Sequence, residues 1–230
     1  MNIPDRIARV EERIAAAARR AGRSSDEVLL VAVTKRIPAG RINEAIEAGV
    51  KAIGENRVQE AEAKWPDLLP GPERHLVGRL QRNKAGKAAD LFDRIQSIDG
   101  EKLAAAVSRR AEAAGKRIPV LVEVNVSGED SKAGVAPGAV RSLIEEIARL
   151  PGIAVDGLMT IGPLTEDPER IRRAFRELRE IFEGLRARPV AGTEMRHLSM
   201  GMTGDYEIAV EEGATMVRLG TALFGPRPPA

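Results

Sequence analysis

The sequence predicts an α/β protein: a single (β/α)8 TIM-type barrel with an extra N-terminal helix. Three observations carry this. Short apolar runs rich in Val, Ile and Leu alternate with longer amphipathic stretches along all 230 residues, the pattern of parallel strands covered by helices. The alternation repeats eight times, the count of a closed barrel. The first apolar run ends in Thr34-Lys35-Arg36-Ile37-Pro38. A doubly wound sheet would carry a glycine-rich dinucleotide fingerprint there. No linker, low-complexity tract or repeat divides the chain, so residues 1–230 read as one domain.

The elements follow in order. Ile3, Ile7, Val10 and Ile14 recur at helical spacing with Pro4 near the first turn, which marks an opening helix. Strands are predicted at 28–34, 52–54, 75–78, 94–97, 119–126, 155–160, 196–199 and 215–219. Helices follow at 39–48, 57–65, 83–89, 100–114, 138–150, 168–186 and 206–212, with a short turn from Thr221. The run 128–134 follows the fifth strand. It reads equally as a lid, through Glu129-Asp130-Ser131-Lys132, or as a solvated loop.

Composition excludes several classes. Hydrophobic residues make up 43% and aromatics only 3%, so aliphatic side chains must fill the core. Lys and Arg total 36 against 34 acidic residues, a net charge of +2. No basic run is interleaved with aromatics, so nucleic acid is not an expected partner. There are no cysteines and two histidines, which removes disulfides, thiol chemistry and the usual zinc sites. No apolar run reaches the length of a membrane span. Asp5, Glu11 and Glu12 break up the positive charge of the first helix, unlike a targeting peptide. A cytoplasmic protein is expected.

Candidate functional residues lie at strand ends. In Val31-Ala32-Val33-Thr34-Lys35, alternation puts Val31, Val33 and Lys35 on one face. If that face lines the barrel, Lys35 stands at its opening. A partly desolvated amine there can attack a carbonyl and form a Schiff base. A solvated surface lysine is the plain alternative. Two later strands break into small residues before a helix, at Ser199-Met200-Gly201 and at Gly220-Thr221. Such turns let backbone N–H groups approach an anion, and on the last strands of a barrel they form a common phosphate site.

Ala32-Val33-Thr34-Lys35, Gly54-Glu55-Asn56-Arg57-Val58-Gln59-Glu60, His75-Leu76-Val77-Gly78-Arg79-Leu80-Gln81-Arg82-Asn83-Lys84, Glu123-Val124-Asn125-Val126-Ser127, Gly157-Leu158-Met159-Thr160-Ile161 and the two turns occur in this order. Together they resemble the pyridoxal phosphate homeostasis protein family, itself similar to the barrel domain of alanine racemase. The resemblance runs from about Leu29 to Gly225. Arg74 departs from it, where the family often carries an aromatic residue.

The resemblance implies pyridoxal 5′-phosphate (PLP) as cofactor, with Lys35 taking its aldehyde. Ser199, Met200, Gly201, Gly220 and Thr221 would hold the phosphate. Arg218 would meet the pyridine nitrogen or help hold the phosphate; a strand-end salt bridge is its plain alternative. Asn56 would bond the ring hydroxyl or a ligand, or else cap the following helix. Met159 would pack on the ring or simply fill the core. His75 and His197 read as structural. No metal is implied. The family's role is control of intracellular PLP, with amino acids and PLP-dependent apo-enzymes as further partners, in a monomer. A racemase needs a second acid/base group on the far side of its substrate, and the one tyrosine, Tyr206, lies beside the presumed phosphate turn. Little or no turnover is therefore expected. A PLP-dependent racemase-like enzyme is the first alternative and a Schiff-base aldolase the second.

Overall fold

A computed structural model describes residues 1–129 and 132–226. Eight parallel strands close into a barrel in sequence order: β1 Leu29–Val33, β2 Ala52–Glu55, β3 Glu73–Leu76, β4 Arg94–Ile98, β5 Ile118–Glu123, β6 Ile153–Met159, β7 His197–Ser199 and β8 Met216–Leu219. Closure is between β1 and β8, with Val31 opposite Arg218 and Ala32 opposite Leu219. The helices between strands are α2 Ala39–Glu47, α3 Val58–Lys64, α4 Ala85–Leu91, α5 Glu101–Ala113, α6 Val140–Ile147, α7 Pro168–Ala187 and α8 Tyr206–Glu211, and α9 Thr221–Phe224 follows β8. The predicted barrel is thus observed.

The opening helix, α1 Ile3–Arg20, is capped by Asn2, whose side chain accepts from the Asp5 N–H, an N-cap bond that satisfies an otherwise unpaired donor. Its buried stripe is Ile3, Ile7, Val10, Ile14, Ala17 and Ala18. The helix packs on α8, α9 and α2. Since α9 has only four residues, α1 supplies the cover that a full eighth helix would give the β8–β1 seam. Arg74, the departure noted above, stacks its guanidinium 5.1 Å from the centre of the Trp65 ring, a cation–π contact.

Strand alternation divides the core. Outward residues such as Ala32, Ile53, Leu76, Ile95, Val122, Leu158 and Val217 pack beneath the helices. Inward residues form two small apolar clusters, Val31 with Val33, Ala52 and Val77, and Leu121 with Met159 and Met216. β5 ends three residues before the predicted boundary. The chain returns there: Asn125 N–H donates to Val135 O, and Val135 N–H to Glu123 O. That local pairing takes over from the barrel ladder, whose last bond here is Val124 N–H to Met159 O at 2.8 Å.

β6 carries a bulge. Val120 pairs with Val155 but Leu121 with Gly157, so Asp156 is the extra residue. Its carboxylate turns to Arg94 at the N-terminal end of the barrel. Next to the bulge, a Cβ on Gly157 would lie 2.0 Å from His197 O. The clash is with backbone, which cannot rotate away. Gly157→Ala is expected to destabilise the protein by about 3 kcal/mol, read as a lower urea midpoint with an unchanged slope.

Candidate cofactor site

The site is built at the C-terminal ends of the strands. Lys35 is half-buried just beyond β1, two residues after the inward-facing Val33. It begins the centre of a turn closed by Ile37 N–H to Thr34 O at 2.9 Å. The next residue, Arg36, has φ of +61°, a region that side chains disfavour. Because β8 is the neighbour of β1, the Lys35 turn and the Gly220-Thr221 turn stand side by side on the same rim.

The two phosphate-type turns are tied together. Ala222 N–H donates to Thr203 Oγ1 at 3.3 Å. Arg218 N–H donates to Gly201 O at 2.9 Å. Gly201 has φ of +94°, and a Cβ there would sit 2.5 Å from Ala209 Cβ, so only glycine lets α8 start this close. Thr221 is exposed and Gly220 buried. Met200 differs: its side chain is fully buried among the outward core residues, so only its backbone can serve a ligand at the mouth.

A polar chain runs through the barrel interior. Arg218 Nη1 donates to Ser199 Oγ at 2.7 Å, and Nη2 donates to Thr160 O at 2.7 Å. Ser199 Oγ in turn donates to Gln96 Oε1 at 2.7 Å. Gln96 Nε2 donates to His75 Nδ1 at 2.8 Å, leaving His75 Nε2 to donate to Glu73 at 2.9 Å. Because a guanidinium can only donate, every bond in the chain points from Arg218 towards Glu73. Burial holds the His75 pKa below its ordinary value, consistent with a neutral ring in this tautomer. His197 is held down to about 4, chiefly by burial and then by Arg94. The Ser199 hydroxyl is thus already committed inside the barrel.

Arg218 is 5% exposed, and burial lowers its pKa to about 10, against the raising effect of Glu123 and Asp205. Among the described residues no carboxylate reaches it as an ion pair. Met159 is fully buried between Leu121 and Met216. Asn56 lines a groove of about 570 Å³ with Arg57, Gly78, Arg79, Gln81 and Lys84. It does not cap α3, whose N-cap is Arg57 without a side-chain bond. A Cβ on Gly78 would lie 2.5 Å from Asn56 O, so that glycine sets the close approach of the two loops. Of the 129–132 segment, Asp130 and Ser131 lie outside the described residues. Lys132 donates to Glu129 at 3.0 Å and to Gly162 O at 2.9 Å.

One group escaped the sequence reading. Glu123 ends β5 at an inward position and is 4% exposed. Its carboxyl makes no hydrogen bond or ion pair among the described residues. Burial raises its pKa to about 7, with Arg218 opposing. It lines a cavity of about 230 Å³ with Arg79, Asn125 and Lys132. The clue was available, since Glu123 follows Val120-Leu121-Val122 just as Lys35 follows its own apolar run.

The chain matches the family model described as alanine racemase, N-terminal domain, over residues 6–228. It is 43% identical over 228 residues to the pyridoxal phosphate homeostasis protein of Aquifex aeolicus, covering 99% of each. The chain belongs to the pyridoxal phosphate homeostasis protein family. The Escherichia coli member is 38% identical, with 98% of this chain and 97% of that protein covered. PipY of Synechococcus elongatus, solved with PLP bound, superimposes with a TM-score of 0.85 at 36% identity, covering 97% of this chain and all of that one. Alanine racemase of Clostridium difficile shares the fold with a TM-score of 0.71 at 15% identity, over 95% of this chain and 60% of that one. Among the described residues no helix is long and apolar enough to cross a membrane, and no three side chains form a metal-binding group.

Proposed function

We propose that this chain is a cytoplasmic, monomeric, single-domain PLP carrier that holds the cofactor covalently on Lys35 and buffers its supply, with little or no turnover. The observation that carries the reading is the adjacency of two strand ends. The register of β1 on β8 puts a half-buried lysine beside a turn of small residues. A phosphate with an aldehyde a few bonds away needs both. The other groups suit it too: a buried guanidinium that bonds Ser199 and Thr160, and a buried carboxyl, Glu123, without an ion-pair or hydrogen-bond partner among the described residues. The family relatives are named for PLP homeostasis, and PipY has been solved with PLP.

Bound PLP supplies an aldehyde that an amine can capture. The protein's part is to bind and orient. Lys35 provides the amine. The backbone at Gly201, Gly220 and Thr221 would hold the phosphate, joined by the Thr203 hydroxyl. Arg218, aimed by Ser199 and Thr160, would place its positive charge at the pyridine nitrogen or at the phosphate. Asn56, just beyond β2, would bond the ring hydroxyl, and Met159 would pack on the ring. Amino acids and PLP-dependent apo-enzymes are the proposed receivers. Support for low turnover comes from Tyr206, which is 3% exposed and stacks against Arg13 of α1 at 5.6 Å. It packs on α1, outside the barrel wall.

Borohydride treatment of the PLP-loaded protein should fix the cofactor's mass on the peptide containing Lys35, and Lys35→Ala should abolish both that mass and the visible absorption band. An adduct that persists in Lys35→Ala would refute the assignment. Sustained conversion of L-amino acids over many equivalents, lost in Lys35→Ala, would establish an enzyme instead.

A further inference from the structure

The Lys35 turn is held from behind. Lys64, the last residue of α3, donates to Thr34 O at 2.8 Å and to Glu55 Oε1 at 2.5 Å. It also pairs with Glu60 Oε1 at 2.8 Å. That same Glu60 oxygen accepts the Arg36 N–H, and Glu55 Oε1 accepts from the Thr34 hydroxyl at 2.8 Å. All three ammonium donors therefore have an acceptor, and each acceptor belongs to the turn or to a carboxylate that grips it. This clasp lies outside the barrel wall. The direction of a Cβ at Gly54, towards Val31 and Val77, marks that residue as inward, so its neighbour Glu55 faces the helices. Lys64 accordingly grips the turn from the outer side of the barrel wall.

Arg36 is the only non-glycine residue with positive φ among the described residues. A residue with a side chain leaves that region unless its surroundings hold it there. We propose that Lys64 is a positioning residue for Lys35: by gripping Thr34 O, Glu55 and Glu60 it keeps the 34–37 turn in its left-handed form, which presents the Lys35 amine to the cofactor. The proposal rests on Lys35 being the covalent anchor. Without the ammonium, Glu55 and Glu60 lose their shared cation. Glu60 then turns to solvent, the Arg36 N–H loses its acceptor, and the turn relaxes. Lys35 remains in the chain but no longer at the required angle.

The test uses the full-length protein with two probes. PLP reports attachment, as the rate at which borohydride-stable mass appears on Lys35. Pyridoxine 5′-phosphate has the same ring and phosphate but no aldehyde, so it reports binding alone. Lys64→Met should slow attachment about tenfold, the scale of one residue's conformational preference, and change pyridoxine 5′-phosphate affinity less than about twofold. Adding Arg36→Gly should restore the rate, because glycine adopts positive φ without a clash. Arg36→Gly alone should attach PLP at close to the wild-type rate. If Lys64→Met does not fold, Glu60→Ala, which removes the Arg36 N–H acceptor from a partly exposed position, should show the same loss and the same rescue. Attachment at the wild-type rate in the variant overturns the proposal. So does a parallel loss of pyridoxine 5′-phosphate binding without rescue, which would mark general damage. A wild-type protein with no mass on Lys35 overturns the anchor itself, and this proposal with it.

Discussion

Arg218→Met should weaken PLP binding about a hundredfold while leaving the cofactor-free protein as stable as before, or more so. The two effects have different causes. Arg218 is a charged group 5% exposed, without a carboxylate in ion-pair range among the described residues. A buried charge so placed is expensive, and apolar replacements of similar volume are often neutral or stabilising. Its hydrogen bonds reduce that expense only in part. After substitution Ser199 keeps its bond to Gln96. Thr160 O loses the Arg218 donor, at about 1–3 kcal/mol, comparable to what removal of the buried charge returns. Binding has no such compensation. Hydrogen bonds from a guanidinium to a cofactor are worth about 1.5–3 kcal/mol each, and the loss of one or two gives about two orders of magnitude. Thermal melts of the cofactor-free proteins and a fluorescence titration with PLP check both halves. Unchanged affinity would remove Arg218 from the cofactor. A steep fall in melting temperature would make it a structural residue.

The fold was legible because burial on both faces leaves a strand as an apolar run, and eight such runs separated by amphipathic stretches have few other solutions. The candidate site was legible in so far as it sits where those runs stop, which is why Lys35, Gly201 and Gly220 stood out. Groups that act across the barrel were not. The Ser199 hydroxyl reads as a phosphate ligand in isolation, yet its acceptor is Gln96, 103 residues away. Met200 lies inside a plausible turn, but alternation sends its side chain outward. Asn56 has the composition of a helix cap, and the cap falls one residue later, at Arg57. Lys64 looks like an ordinary helix-end lysine, and only the folded structure brings it to Thr34.

Glu123→Gln should raise stability at pH 8 by about 3 kcal/mol and have little effect below pH 5. The Glu123 carboxyl rises from 4.5 to about 7 on folding, because burial disfavours its charged form more than Arg218 and Arg79 favour it, with Asp99 adding to the rise. The folded state therefore binds its proton more tightly than the unfolded state does. Below about 4.5 both states are protonated and the group costs nothing. Between 4.5 and 7 the unfolded chain ionises while the folded one resists, so stability falls as pH rises. Above 7 the full expense is present and constant. At about 1.4 kcal/mol per pH unit the difference amounts to about 3 kcal/mol, and since the group is 4% exposed, solvent does little to screen it. Glutamine keeps the shape and cannot ionise, so it removes the pH-dependent part alone. The measurement is the melting temperature of the cofactor-free wild type and variant from pH 5 to pH 8. The two curves should lie close at pH 5 and separate by about 8 °C at pH 8. Parallel curves would mean that Glu123 is ionised in the folded protein throughout this range. In that case the Glu123 carboxyl at the barrel mouth would be a carboxylate facing Arg218, not a held proton.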